Sequence, residues 1–177
     1  MCGIVGFFSR KDISLDLVKK MIASLNHRGP DDSDYFLDEK SNIFLGHTRL
    51  SILDISSNAK QPITSENHRY VMLFNGEIYN FKKLRNQLNN QFKINWKSHG
   101  DTEVLLNCFE KYGFKDTLKL LEGMYAIALY DRKFKKLYLV RDKFGEKPIY
   151  FGNSNGKFYF SSELKAMIID NNFKKEI

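Results

Sequence analysis

The residues with the most chemical potential stand at the start of the chain. Cys2 follows only Met1 and opens the apolar run Cys2-Gly3-Ile4-Val5-Gly6-Phe7-Phe8. Removal of Met1 would give one residue both a thiol nucleophile and a free α-amine able to take the thiol's proton. Reference pKa values of about 8.5 for a thiol and about 7.7–8.0 for an α-amine make that transfer cost about 1 kcal/mol before the protein adjusts either group. Nucleophile and base then arrive as one unit, and no distant histidine is needed. Taken alone, Cys2 reads more simply as a packed residue of an edge strand, because cysteine is among the most buried residue types.

Other segments carry polar groups that could serve such a nucleophile. In Asn75-Gly76-Glu77 the Asn amide and the Gly N–H are two donors that could converge on one oxyanion. Asn-Gly is also the strongest short hairpin signal, but Glu77-Ile78-Tyr79-Asn80 leads toward a helix rather than a second strand. Arg49, after Gly46-His47-Thr48, offers a fork that matches a carboxylate; a structural salt bridge would use it equally well. Asp101 could cap a helix that begins near Thr102. Arg28, Asp31 and Asp32 sit around Gly29-Pro30 and could simply form a turn, as could Arg141-Asp142 with Phe144-Gly145-Glu146-Lys147-Pro148. His47 is read as a packed, structural histidine. No metal-ligand spacing and no phosphate-cradling glycine loop is visible.

The elements that must position these residues follow from hydrophobic periodicity. Strands are expected at Cys2–Phe8, Tyr35–Leu37, Ile43–His47 and Tyr70–Phe74, with Asn75-Gly76-Glu77 ending the last of these sharply. Further strands are expected at Met124–Tyr130, Leu137–Arg141, Pro148–Phe151 and Lys157–Phe160, and a short extended piece at Leu50–Asp54. Helices are expected at Leu15–Asn26 with Ser14 as N-cap, at Asn80–Asn90, from Asp101 through Tyr112, at Phe114–Leu121 and at Ser162–Ile169. Strands come in runs with helices grouped between them, which predicts an α+β fold of antiparallel sheets covered by helices rather than a doubly wound parallel sheet.

The 177 residues suffice for one domain with a sizeable core, and 42% hydrophobic residues fit a globular chain. The net charge of +7 comes from 28 Lys+Arg against 21 Asp+Glu, but the basic residues are scattered over polar faces and turns, so nucleic acid is not expected as a partner. The two cysteines, Cys2 and Cys108, suggest a reducing compartment, with Cys108 in a helix core. No secretory leader and no run of about 20 apolar residues is visible. A cytoplasmic chain without a membrane is therefore expected.

Together the segments form a recognisable pattern. Met1-Cys2-Gly3-Ile4, Arg28-Gly29-Pro30-Asp31, Gly46-His47-Thr48-Arg49-Leu50-Ser51-Ile52, Gln61-Pro62 and Phe74-Asn75-Gly76-Glu77-Ile78-Tyr79-Asn80 come first. Asp101-Thr102-Glu103, Gly123-Met124-Tyr125-Ala126, Arg141-Asp142, Phe144-Gly145-Glu146-Lys147-Pro148 and Ser161-Ser162-Glu163 follow in order. The chain resembles the class II glutamine amidotransferase domain of the N-terminal nucleophile hydrolases. Pro30, Leu50 and Glu77-Ile78-Tyr79-Asn80 make it look most like the N-terminal half of glutamine-hydrolysing asparagine synthetases. One departure is Gly100, where relatives often carry Ser.

The resemblance implies a four-layer αββα sandwich of two antiparallel sheets. It implies Cys2 as nucleophile and Asn75 with Gly76 as oxyanion donors. It further implies that Arg49 binds the glutamine α-carboxylate, that Glu77 and Asp101 bind its α-ammonium, and that Leu50, Ile52 and Leu53 line the site. No cofactor or metal is implied in this chain. ATP and Mg²⁺ belong to a synthetase domain whose Ser-Gly-Gly-x-Asp-Ser loop is not found here, so a fragment, an isolated domain or a subunit with a partner is expected. The implied partners are L-glutamine and a synthetase domain or subunit that receives ammonia, in a chain that could also form a homodimer. An amidotransferase serving another acceptor, such as a sugar acid, or a non-catalytic regulatory module of the same fold, remains open on the sequence.

Overall fold

A computed structural model describes residues 1–9, 13–51 and 60–173. Its strands fall into two antiparallel sheets. The first orders β2(Asp32–Asp38), β3(Ile43–Arg49), β1(Gly3–Phe8), β9(Lys157–Ser161) and β8(Tyr150–Ser154). The second orders β4(Ile63–Thr64), β5(Tyr70–Ile78), β6(Gly123–Asp131) and β7(Lys136–Arg141). Five helices complete the described residues: α1(Leu15–Ala23), α2(Phe81–Gln91), α3(Asp101–Tyr112), α4(Phe114–Leu120) and α5(Leu164–Met167).

Successive strand residues point to opposite faces, so each strand serves two cores. On β5, Val71 and Leu73 meet Ile4, Ile43, Leu45, Ala126, Ala128 and Phe160 in an apolar layer between the sheets. Tyr70, Met72 and Phe74, the alternate residues, pack instead on Leu84 and Leu88 of α2 and on Val104, Leu105, Cys108 and Phe109 of α3. The first sheet does the same: Val5, Phe7, Phe44 and Tyr159 pack on Val18, Met21 and Ile22 of α1 and on Ala166 and Met167 of α5. Three apolar layers between four structural layers make the αββα sandwich that the resemblance implies. No helix among the described residues is long and apolar enough to cross a membrane.

The same parity places the candidate site. Ile43, Leu45, His47 and Arg49 share one face of β3; Val71, Leu73, Asn75 and Glu77 share one face of β5; and Cys2 continues the face of Ile4. All look into the seam between the sheets. Arg49, Cys2, Asn75 and Glu77 therefore lie at one end of that seam, where the apolar filling stops.

Several boundaries differ from the sequence reading. Asn75-Gly76-Glu77 does not end β5: the strand runs on to Ile78, with Asn75 paired to Ala126, Gly76 to Tyr125 and Glu77 to Met124. The Asn-Gly pair lacks a turn because the partner strand β6 extends alongside it, and ladder pairing outweighs local turn preference. Asp32, read as a turn former from sequence, starts β2 instead, and Asp32, Ser33 and Asp34 are ladder residues opposite Arg49, Thr48 and His47. Helix α1 stops at Ala23, three residues earlier than expected, and α5 keeps only Leu164–Met167.

Candidate active site

A cleft of about 190 Å³ opens at this end of the seam. It is smaller than the roughly 300–1,000 Å³ of sites for drug-sized ligands and suits a molecule on the scale of one amino acid. Met1, Cys2, Arg49, Leu50, Asn75, Gly76, Glu77, Asp101 and Lys147 are among its walls. The structure thus gathers seven of the sequence-predicted site residues into one cavity. Ile52 and Leu53 lie outside the described residues.

Cys2 is held by its backbone and its sulfur. The Arg28 Nε donates to the Cys2 carbonyl at 3.0 Å, and Leu50 N–H approaches Sγ at 3.4 Å. Burial pushes the Cys2 thiol above its ordinary pKa. The Leu50 N–H, the N-terminal charge, Arg49 and Arg28 all pull it back down without cancelling the rise. A thiol so placed stays protonated at neutral pH until a base removes the proton.

Arg28, assigned to a turn from sequence, is a supporting residue of the site. Its second contact is Glu163 at 2.9 Å, and three partners (Arg28, His27 and Lys165) outweigh burial and hold the Glu163 carboxyl near pKa 2. Gly29 is required for this approach, since a Cβ there would lie 2.5 Å from Arg49 N and from the Thr48 carbonyl carbon. Asp31 then fixes the far side of Arg49: its N–H donates to the Arg49 carbonyl at 3.1 Å and its carboxylate accepts Ser51 N–H at 2.7 Å. The sequence signal was the Arg-Gly-Pro-Asp string; what it lacked was the long-range partner.

Asn75 is 2% exposed, and its Nδ2 has no hydrogen-bond partner. A buried amide donor left unpaired costs about 1–3 kcal/mol, so the fold keeps it against its own stability. Gln61 fixes the adjacent backbone by donating from Nε2 to the Phe74 carbonyl at 3.1 Å and accepting Phe74 N–H at 2.6 Å. At Gly76 a Cβ would fall 2.7 Å from Tyr125 Cα, so only glycine lets β6 pass this close.

Asp101 is the first residue of α3, and its Oδ2 accepts the N–H of Ile78 at 2.9 Å, joining the helix start to the end of β5. Burial raises its pKa, N–H donors lower it, and the Glu77 charge raises it again. Two carboxylates on one wall of a partly dry cleft are completed by a cation. Arg49 supplies a fixed positive charge to the same cleft. The arrangement thus offers a zwitterion one cationic and one anionic wall, with a thiol and an unpaired amide donor alongside.

A family model described as a glutamine amidotransferase domain matches residues 1–177. The chain belongs to the glutamine amidotransferase domain family. Among curated relatives it is 37% identical over 177 residues to asparagine synthetase [glutamine-hydrolyzing] 1 of Bacillus subtilis, covering 97% of this chain and 27% of that one. It is 37% identical over 173 residues to asparagine synthetase B [glutamine-hydrolyzing] of Escherichia coli, covering 95% and 30%. The chain thus spans under a third of the length of these relatives. Among solved structures, glutamine phosphoribosylpyrophosphate amidotransferase from Bacillus subtilis superposes with a TM-score of 0.79 at 22% identity, over 95% of this chain and 43% of that one. That likeness establishes a shared fold, and the sequence relatives place the domain beside the asparagine synthetases.

Proposed function

We propose that the domain hydrolyses L-glutamine to glutamate and ammonia. The observation that carries this reading is the unpaired, buried Asn75 amide in the same cleft as the Cys2 thiol. With Met1 removed, the Cys2 α-amine takes the thiol proton, through a water, and Sγ attacks the side-chain carbonyl carbon of glutamine. The carbonyl π electrons move to oxygen, and Asn75 Nδ2 with the Gly76 N–H holds that oxyanion. Collapse breaks the C–N bond; the amine returns its proton to the departing nitrogen, and ammonia leaves. Water then attacks the γ-glutamyl thioester and releases glutamate and the thiol.

Arg49 binds the α-carboxylate, and Glu77 and Asp101 bind the α-ammonium; Leu50 contributes the wall beside Sγ. No cofactor is needed for this half-reaction. The ammonia goes to a synthetase domain or partner subunit that uses ATP and Mg²⁺, with aspartate as acceptor, in keeping with the names of the relatives. A cytoplasmic setting suits a reduced Cys2.

Acid quenching during turnover, followed by intact-mass measurement, tests the reading. A γ-glutamyl adduct confined to the peptide beginning at Cys2 is expected, and ammonia release without any adduct in a Cys2-dependent reaction would overturn the thioester route. Two variants test the walls. Asn75→Ala should lower kcat by about 10²–10³, the scale for one lost oxyanion donor, while leaving glutamine binding largely intact. Arg49→Ala loses a charged hydrogen bond of about 1.5–3 kcal/mol and should lower kcat/KM at least about tenfold.

A further inference from the structure

Lys147 is a charged member of the cleft that the proposed reaction leaves without a task. It is only 8% exposed, and its Nζ lies 3.3 Å from Sδ of Met1, the residue whose removal creates the Cys2 amine. A thioether is a weak acceptor, and removal of Met1 takes even that away. The burial of a lysine without a carboxylate partner among the described residues is costly, so its retention at this spot points to a task for the positive charge.

The backbone that carries Lys147 is fixed with unusual density. The Asp142 carboxylate accepts the N–H groups of Phe144 at 3.0 Å, Glu146 at 3.0 Å and Lys147 at 3.1 Å. It also accepts the N–H of Tyr125 at 3.2 Å, and Tyr125 pairs with Gly76 across the ladder. Burial would raise the Asp142 pKa, but these donors more than offset it and the carboxyl titrates below its usual range. Arg141 Nε donates to the Lys147 carbonyl at 3.0 Å from the other side. The loop is thereby locked to the strand that bears Asn75 and Gly76.

The charges around the start of the chain come from every wall. Arg28 holds the Cys2 carbonyl, with Glu163 behind it; Arg49 comes from β3, Glu77 from β5, Asp101 from α3 and Lys147 from the loop before β8. In the proposed reaction Glu77 and Asp101 are taken up by the substrate's ammonium and Arg49 by its carboxylate. Lys147, whose ammonium lies against Met1 in the cleft that also holds Cys2, is then left as a cation without a substrate group to bind. A like charge close by disfavours protonation of an amine.

Resting on the proposed glutamine hydrolysis, we propose that Lys147 is a positioning residue for the base: its ammonium, held by the Asp142 loop in the cleft shared with Cys2, keeps the α-amine of processed Cys2 in the neutral, proton-accepting form at physiological pH. An α-amine with an ordinary pKa of about 7.7–8.0 would be mostly protonated there, which leaves only a minority of molecules with a base.

The test compares pH profiles of kcat/KM for glutamine in the processed chain, with Met1 removal checked by intact mass. Lys147→Gln should move the acid limb up by about one pH unit, the scale expected for a charge several ångströms away at a partly buried site. Lys147→Arg should leave the limb in place. Lys147→Met, which keeps the apolar stem, replaces Lys147→Gln if that variant does not fold. A limb that stays put on loss of the charge, whatever happens to kcat, overturns the proposal. A second readout is independent of turnover: the pH dependence of N-terminal acetylation by limiting acetic anhydride in Cys2→Ala, with and without Lys147→Gln. Half-maximal reaction should again move up by about one pH unit when the lysine charge is removed; coincident curves overturn the role of Lys147, whereas wild-type protein without glutaminase activity but with separated curves would sink only the hydrolysis reading.

Discussion

Replacing Cys2 with alanine is expected to abolish glutamine-dependent ammonia release, by at least about a thousandfold, without unfolding the domain. The two halves of that statement have different origins. Sγ makes only loose contacts, with the Leu50 N–H at 3.4 Å and the Leu50 carbonyl at 3.7 Å, so its loss should scarcely change thermal stability. The chemical loss is total for the covalent route, because no other thiol is near: Cys108 is enclosed by α3 and the second sheet, and burial pushes it up to about 12.

Serine at position 2 would keep an N-terminal nucleophile and amine, but a hydroxyl gives its proton to an amine far less readily than a thiol does, and a deep loss is again expected. Acylation of the α-amine in the processed wild-type chain should be as damaging as Cys2→Ala, since it removes the base and leaves the nucleophile. While Met1 remains in place, the raised thiol pKa predicts slow alkylation by iodoacetamide at pH 7, with the rate climbing only above the ordinary thiol range. Full ammonia release from Cys2→Ala would show that the activity arises elsewhere.

Much of this site was legible because the information is local or periodic. The alternation of apolar residues in β3 and β5 fixes which face Arg49, Asn75 and Glu77 share, and the resemblance gives them roles. What could not be read is long-range pairing. Asn75-Gly76-Glu77 reads as the sharp end of a strand until β6 is seen beside it, with Gly76 opposite Tyr125. Arg28 looks like a turn residue because its partners, the Cys2 carbonyl and Glu163, lie 26 and 135 positions away. Asp142 sits in a local turn, yet its bond to Tyr125 N–H is what ties that turn to the oxyanion strand. The last two misses concern a polar side chain whose partner is set by topology, which residue type and spacing do not encode.

His47 predicts how the domain fails in acid. Its ring is buried on the seam face of β3, held at the backbone of Phe74, and its Nε2 has no partner. Burial, helped by the charge of Arg49, lowers its pKa from 6.5 to about 3, against the smaller upward pulls of Phe74 and Asp32. Between those values the unfolded chain binds a proton that the folded chain refuses. The stability that the neutral ring contributes is therefore complete above about pH 6.5 and drains as pH falls toward about 3, by up to about 5 kcal/mol in all.

That is a large part of the roughly 5–15 kcal/mol available to a domain. The paired carboxylates act lower: Glu163 and Asp170 are both held near pKa 2, so their contributions are lost only as pH falls below the ordinary carboxylate range. Urea unfolding between pH 6.5 and 5 should therefore show a loss of about 2 kcal/mol, close to one proton's worth of slope. His47→Gln, which keeps a donor for Phe74, should be less stable at pH 7.5 but lose that slope. An unchanged slope in the variant would assign the acid sensitivity to other groups. The site should feel this first, since His47 is two residues from Arg49 on β3 and touches the neighbour of Asn75 on β5: charging the ring pushes apart the two strands that together form the cleft.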